Sequence, residues 1–299
     1  MRAQHGAMRA ALNDGKNTVE FSAGVGDSMS KKVIEVKGVS KTFDTPNGPL
    51  VIAKDLSIKI LRGDRIGIIG PNGAGKSTVL AALTDRAPLE AGHVSLDGAP
   101  MERFHRREVA RRVSVLQQHF RSTFPFRAHE IVAMGRAPFE GLESAATRAG
   151  IVEEAMAAVG VHDLADRPCD RLSGGERPRT YLARALAQIM PPPPDGPRYL
   201  LRDEPTASLD LRHQAAALAF ARKAALAGVG VLAILHDLNL AARFADEVLI
   251  LNQGVVAAFG PPDKIFNERT LQRVYGDGLA VFEAPGGGPV VLPRADAAA

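Results

Sequence analysis

The chain has 299 residues, of which 45% are hydrophobic and 23% charged, and its formal net charge is +4. This ordinary globular composition includes no apolar run long enough to span a membrane, since the longest covers only residues 229–235. A single cysteine, Cys169, excludes an internal disulfide and suits the cytosol, and we expect it to be a half-buried side chain rather than a nucleophile.

The first thirty residues are rich in small and polar side chains and have no sustained period. They predict either a disordered extension over residues 1–30 or a misassigned start with Met29 as the initiation point. No positively charged start precedes an apolar block, so we expect no secretory signal. Residues 32–39 and 51–60 then alternate apolar and polar side chains, which predicts two paired strands.

A complete phosphate loop follows a buried strand predicted at residues 65–69. Its glycines allow the tight turn that points successive N–H groups at phosphate oxygens, and the helix predicted after it adds its positive dipole end. Lys76 can reach the β- and γ-phosphates, and the Ser77 hydroxyl can ligate Mg²⁺. The sequence therefore predicts a site for a nucleoside triphosphate such as ATP, formed by Gly70, Pro71, Asn72, Gly73, Ala74, Gly75, Lys76, Ser77 and Thr78.

The segment 102–112 is strongly basic and carries five arginines. Such a cluster is compatible with a nucleic-acid patch and equally with a solvated helix face near a membrane partner. No aromatic platform of the kind used by single-strand binders interrupts it, and we expect no nucleic-acid partner.

Strands alternate with helices through the rest of the chain, which predicts an α/β fold with a mostly parallel sheet covered on both faces. The pattern is helical over residues 119–190, where Ser173 is well placed as a helix N-cap. One predicted strand ends at Asp203 and Glu204, and the next ends at His236. We expect a globular domain over residues 31–284 and a loose tail over residues 285–299.

Lys76, Gln118, Ser173-Gly174-Gly175, Asp203-Glu204 and His236 occur in an order that resembles the nucleotide-binding subunit of ABC transporters. The resemblance covers residues 32–280, and Leu172-Ser-Gly-Gly-Glu176 looks like the ABC signature. It implies a phosphate-loop core with an antiparallel β subdomain and an inserted helical subdomain, at about residues 119–190. It also implies a head-to-tail homodimer that encloses two ATP molecules.

The resemblance assigns roles to residues beyond the phosphate loop. Asp203 would hold Mg²⁺, Glu204 would act as general base on the attacking water, and His236 would contact the γ-phosphate. Gln118 would approach the metal, with Gln117 as its near-equal rival. Ser173, Gly174, Gly175 and Asp210 would face the ATP bound by the other subunit, and Phe43, in the loop between the first two strands, would stack on the base.

The segment 236–246 is similar to ATPases that power uptake of iron chelates, heme and vitamin B12, and the segments 117–126 and 133–139 resemble the hemin importer branch. We therefore expect an ATPase at the cytoplasmic face of the inner membrane that drives heme import through a permease supplied by a periplasmic or surface heme-binding protein. Ferric siderophore or cobalamin import is the alternative within the family. A soluble non-transport ABC-type ATPase is an alternative of another class, and a regulatory module that binds ATP but hardly hydrolyses it is a third.

Two positions depart from the family pattern. Arg202 replaces an apolar residue in a strand predicted to be buried, so it should pair with a carboxylate or extend to the sheet edge, and pairing with Asp203 or Glu204 would compromise the metal site. Arg177-Pro178 replaces two polar residues after the signature. Pro178 should lie in the first turn of a helix, where its missing N–H costs little.

Overall fold

The computed structural model describes residues 33–45, 48–84, 89–116, 124–190, 198–202 and 211–294. The predictions for residues 1–30 and for the last five residues lie outside these ranges. The strands and α-helices in chain order are β1 (Val33–Thr45), β2 (Gly48–Leu61), β3 (Arg65–Ile69), α1 (Lys76–Ala82), β4 (Ala91–Leu96), β5 (Ala99–Pro100), α2 (Arg106–Arg112), β6 (Val113–Leu116), α3 (Ala128–Ala133), α4 (Ala145–Ala158), α5 (Glu176–Ile189), β7 (Tyr199–Arg202), α6 (Leu211–Leu226), β8 (Gly230–Ile234), α7 (Leu238–Phe244), β9 (Glu247–Asn252), β10 (Val255–Gly260), α8 (Pro262–Ile265), α9 (Glu268–Tyr275), β11 (Leu279–Glu283) and β12 (Pro289–Pro293).

The first two strands form the predicted antiparallel pair and belong to a sheet of order β2-β1-β4-β5. Their alternating apolar side chains face inward, as Val36 and its cross-strand partner Ile58 show, both being buried. The hairpin extends further than predicted, and Phe43 lies within β1 opposite Leu50 rather than in the connecting loop. Its side chain is outside the described part of the structure.

The central sheet has the order β10-β9-β3-β8-β7-β6 across the described residues, with β6 to β9 and β3 all parallel. Its strands are buried on both faces: Leu200 packs in the core on one side of β7 and Leu201 in the core on the other. Parallel strands place their carboxyl ends at one edge, so this topology gathers the ends of β3, β7 and β8. The α/β prediction is confirmed.

Three helices, α3, α4 and α5, pack together beside this sheet. Ile131, Ala155 and Ala183, one from each helix, are completely buried in the same cluster. The helix-spaced stripe that includes Ile151 and Met156 belongs to this core, as its period predicts.

Residues 285–294 differ from the predicted loose tail. β11 and β12 pair as an antiparallel hairpin, and Val291 is buried against the main core. The run Gly286-Gly287-Gly288 suggested disorder by composition, yet its positive φ angles of 104°, 89° and 96° form the hairpin turn. None of the helices described has the length and apolar character needed to cross a membrane.

Candidate functional site

The phosphate loop joins the end of β3 to the start of α1, which is the strand–loop–helix context that the sequence predicts. Gly70, Gly73 and Gly75 adopt φ values of 153°, 77° and 99°, which side-chain-bearing residues rarely reach. A Cβ on Gly73 would meet no atom within 4 Å, so open space adjoins this glycine. The structure thus brings residues 70–78 together as a cradle between β3 and α1.

Lys76 is held at the base of this cradle and is only 6% exposed. Its Nζ donates to the carbonyl oxygens of Gly70 at 2.8 Å and Pro71 at 2.9 Å. An ammonium has three donors on a flexible stem, so the group that braces the loop can also meet a phosphate oxygen. Ser77 is exposed, as a metal-binding hydroxyl must be. The donor set fits a triphosphate with its magnesium ion.

The loop rests on the β9–β10 hairpin, a support that sequence patterns did not reveal. The Gly254 N–H donates to the Ala74 carbonyl at 3.2 Å, and the Gly254 carbonyl accepts from the Lys54 N–H at 2.9 Å. The Asn252-Gln-Gly254 turn was predictable as a hairpin turn, but nothing in its composition indicates which loop it touches. This contact joins the phosphate loop to both sheets.

His236 lies at the same sheet edge as the phosphate loop. The preceding residue, Leu235, donates its N–H to the carbonyl of Ile68 at 2.9 Å, which places the end of β8 beside the end of β3. His236 is exposed, and Asp237 then caps α7 by accepting from the N–H groups of Asn239 and Leu240 at 2.7 and 3.1 Å. The other residues predicted at this edge, Asp203, Glu204, Gln117, Gln118 and Asp210, lie outside the described residues.

Arg202 ends β7 and is only 2% exposed, so the expectation that its side chain extends to the sheet edge is wrong. Its neighbours in the sheet register are Leu116 in the edge strand β6 and Ala233 in β8. Burial lowers the pKa of the Arg202 guanidinium to about 10. The alternative of a pair with Asp203 or Glu204 involves residues outside the described ranges.

The signature segment precedes α5 and is largely exposed at Ser173 and Gly174. The Ser173 N–H donates to the Glu176 carboxylate at 2.8 Å, and the Glu176 N–H donates back to the Ser173 hydroxyl at 3.3 Å. This reciprocal pair is a capping box. α5 begins at Glu176 with Gly175 at the N-cap position, so Ser173 caps the helix from two residues further out than predicted. The hydrogen bond from the Ser173 N–H lowers the pKa of the Glu176 carboxyl.

Two arginines in the first turn of α5 donate hydrogen bonds to backbone carbonyls that precede the signature segment. Arg177 donates through Nε and Nη2 to the Cys169 carbonyl at 3.2 and 3.1 Å, and Arg179 donates through Nη1 to the Gly160 carbonyl at 2.8 Å. Pro178 is the third residue of α5, within the first turn as predicted. Cys169 is buried and lies 3.8 Å from the Tyr181 hydroxyl, a packing role.

A family model for the ABC transporter matches residues 53–207 of the chain. The chain belongs to the ABC transporter family. That membership confirms the prediction of an ABC ATPase subunit made from the order of the motifs. The matched range runs from β2 past the phosphate loop and the signature, so it includes most of the residues assigned to the site.

Relatives match over nearly their full length. A hemin import ATP-binding protein HmuV of Rhodopseudomonas palustris strain BisA53 is 43% identical over 248 residues, which are 83% of this chain and 90% of the relative. One of Myxococcus xanthus strain DK1622 is 43% identical over 269 residues, which are 89% of this chain and 97% of the relative.

Solved structures agree with the ABC fold. A metal-chelate type ABC transporter in an inward-facing conformation matches with a TM-score of 0.71 at 22% identity, over 89% of this chain and 98% of that chain. A dimeric bacterial ABC transporter cassette matches with a TM-score of 0.67 at 26% identity, over 76% of this chain and 98% of that one.

Proposed function

We propose that this ABC ATPase hydrolyses ATP to drive hemin through a membrane permease. The phosphate loop with Lys76 braced at its base is the observation that carries the ATP-binding part. The cargo is proposed because relatives that are 43% identical over more than four fifths of this chain are named for hemin import. The segments 117–126 and 133–139, which resemble the hemin importer branch, support the same cargo.

In this proposal the loop N–H groups and Lys76 bind the β- and γ-phosphates, and Ser77 holds Mg²⁺ together with Asp203 and Gln118 or Gln117. The magnesium ion, when bound, neutralises charge that develops on the phosphate oxygens. Lys76 gives up little freedom on binding because the Gly70 and Pro71 carbonyls already hold it at the loop.

Glu204 orients the attacking water and accepts its proton while the water oxygen bonds to the γ-phosphorus and ADP departs. His236, beside the end of β3, contacts the γ-phosphate and so distinguishes ATP from ADP. Its place at the sheet edge is compatible with that role, because Leu235 is hydrogen-bonded to Ile68 in the strand that leads into the phosphate loop.

Two copies of the chain complete each site in this proposal. Ser173, Gly174 and Gly175 offer a hydroxyl and N–H groups to the ATP bound by the partner copy, and Asp210 crosses the same interface. The exposure of Ser173 and Gly174 supports this role, since a buried segment could not meet a second chain. Phe43 stacks on the adenine base.

The permease would meet this chain around residues 133–139, at the cytoplasmic face of the inner membrane, and would receive heme from a periplasmic or surface binding protein. That segment is firmly docked: a Cβ on Gly135 would lie 2.3 Å from the Arg184 carbonyl oxygen, and Arg136 is 1% exposed.

The test is hemin transport by the chain reconstituted with its permease in proteoliposomes. Wild-type protein should accumulate hemin only with MgATP, and Lys76→Ala and Glu204→Gln should abolish both transport and phosphate release. Lys54→Ala is the matched control, because it removes an exposed lysine side chain near the loop and leaves the Lys54 N–H contact intact.

Replacing hemin by a ferric siderophore or cobalamin in the same vesicles decides the cargo. Uptake of either one in place of hemin would contradict the proposed cargo and leave the ATPase standing. A wild-type chain that releases phosphate no faster than Glu204→Gln would contradict the ATPase itself and favour a regulatory module, the alternative to which the buried Arg202 points.

A further inference from the structure

The C-terminal hairpin is bonded to the start of α7 through one side chain. Asn239 donates from Nδ2 to the Val291 carbonyl at 3.0 Å and accepts from the Val291 N–H at its Oδ1 at 2.8 Å. A side-chain amide here satisfies both backbone groups of a strand residue, as a neighbouring strand would. Val291 is 5% exposed, so these bonds lie where water competes weakly.

The hairpin is itself fixed to the domain. Val281 and Val291 pack against the main core from its inner face. Arg294 closes its base, since its N–H donates to the Gly278 carbonyl at 2.8 Å and its Nη2 lies 2.9 Å from a Glu268 oxygen on α9. The hairpin is therefore fixed in the domain, and its hydrogen bonds with Asn239 restrict the movement of the start of α7.

The first turn of α7 is less deeply buried than the rest of the helix. Ala241 and Phe244 are the buried side chains of α7 and both follow Asn239, whereas Leu238 before it is partly buried against the main core. Before them, Asp237 caps the helix by accepting from the Asn239 N–H at 2.7 Å, and His236 comes one residue earlier. Residues 237–239 thus connect the backbone of His236 to the hairpin, through the cap by Asp237 and the side chain of Asn239.

We propose that Asn239 is a positioning residue for ATP hydrolysis, which fixes His236 at the γ-phosphate by tying the start of α7 to the C-terminal hairpin. This inference rests on the proposed function, because it takes His236 as the γ-phosphate contact. The C-terminal hairpin then has a role in ATP hydrolysis in addition to its packing against the core. Without the bond, His236 would sample positions away from the phosphate, and a small misplacement of a positioned group is costly to the chemical step.

The experiment measures phosphate release and MgATP affinity for Asn239→Ala and Asn239→Asp at a temperature where circular dichroism shows both to be folded. We expect Asn239→Ala to lower kcat on the order of tenfold while KM for ATP stays within about twofold. Asn239→Asp keeps the acceptor for the Val291 N–H but places a carboxylate oxygen against the Val291 carbonyl, where two acceptors repel, so its kcat should fall at least as much.

Ser144→Ala is the matched control. Ser144 also caps a helix, α4, by accepting from the Thr147 N–H at 3.1 Å, and α4 packs with α3 and α5, away from the C-terminal hairpin. It should lower thermal stability and leave kcat unchanged. An equal loss of kcat in Ser144→Ala and Asn239→Ala would overturn the proposal, since general loosening would then explain both.

A double-mutant cycle with His236→Ala separates positioning from other effects. Asn239→Ala should change the residual single-turnover rate of His236→Ala by less than about twofold, because the group that it positions is already gone. A full loss on top of His236→Ala, or unchanged kcat in Asn239→Ala, would overturn the inference while the ATPase stands. Wild-type-like hydrolysis by His236→Ala would overturn the role of His236 and this inference with it.

Discussion

The carbonyl oxygen of Leu251 lies 2.2 Å from the point where a Cβ on Gly70 would be. No side chain tolerates that approach to a backbone atom, and Leu251, in β9, cannot yield without breaking its place in the sheet. The first glycine of the phosphate loop is therefore required by the strand beside it as well as by its φ of 153°.

Gly70→Ala should destabilise the fold by ~3 kcal/mol or more and abolish ATP binding, because the loop must move away from β9 to admit the methyl group. Urea unfolding and titration with a fluorescent ATP analogue measure the two effects. Gly174→Ala is the control: its Cβ would meet no atom within 4 Å, so stability should change by less than about 0.5 kcal/mol. Comparable stability of the two variants would show that the loop and β9 separate easily.

Arg202→Leu should raise the thermal midpoint by ~3 °C. Because burial lowers the pKa of Arg202 to about 10, the unfolded chain holds the proton more tightly than the folded chain does. Its positive charge therefore opposes folding at every pH below that value, and an apolar side chain of similar reach removes this cost. Differential scanning calorimetry at pH 7.5 is the measurement, and an unchanged or lower midpoint would contradict the prediction.

Arg136 provides the contrast among the buried arginines. Its Nε donates to Glu143 at 3.1 Å, its Nη1 donates to the Ala187 carbonyl at 2.5 Å, and its guanidinium lies 3.8 Å from the centre of the Phe139 ring. Arg136→Leu should therefore cost about 3 kcal/mol, since it removes the nearer guanidinium partner of Glu143 and leaves Arg148, whose Nε lies 3.6 Å from that carboxylate. Urea unfolding of Arg136→Leu measures this loss.

Glu176→Gln should lower thermal stability at pH 7 and have no effect in acid. The hydrogen bond from the Ser173 N–H lowers the pKa of Glu176 in the folded protein below its ordinary value of 4.5. A lowered folded pKa means that the carboxylate stabilises the fold above pH 4.5 and that this contribution disappears as pH falls through the folded pKa.

Thermal midpoints of wild type and Glu176→Gln, measured from pH 7 to pH 3, should differ most at pH 7 and converge at the acid end. A difference in thermal midpoint that stays the same from pH 7 to pH 3 would show that the charge of Glu176 contributes nothing to the stability of the capping box. Ser173→Ala removes the other half of the capping box and should show a difference that depends less on pH, because the serine hydroxyl does not titrate in this range.

Local patterns were sufficient for most of the fold. The period-two alternation around Val36 and Ile58, the glycines of the phosphate loop and the helix-spaced stripe at Ile151 each involve residues close in sequence, so their structure follows from local geometry. The C-terminal hairpin was missed because three glycines and three prolines resemble a loose tail until Val291 is seen to be buried.

Contacts between distant residues were beyond such reasoning. Gly254 meets Ala74 across 180 positions, and Asn239 meets Val291 across 52, and neither approach has a signature in composition or period. The order of the motifs identified site residues by resemblance, and the structure adds the contacts that hold them in place. The Gly70 carbonyl accepts a hydrogen bond from Lys76, the β9–β10 hairpin contacts the phosphate loop, and the C-terminal hairpin bonds to the start of α7.

Hydrogen bonds hold α5 at both of its ends, and those at the C-terminal end come from Arg136. The helix spans 14 residues, about 20 Å at 1.5 Å per residue, without a glycine inside it. Arg136 holds its last carbonyls, and the Ser173–Glu176 capping box closes its first turn. Through this one helix, the segment 134–139 and the signature segment are joined by hydrogen bonds at its two ends.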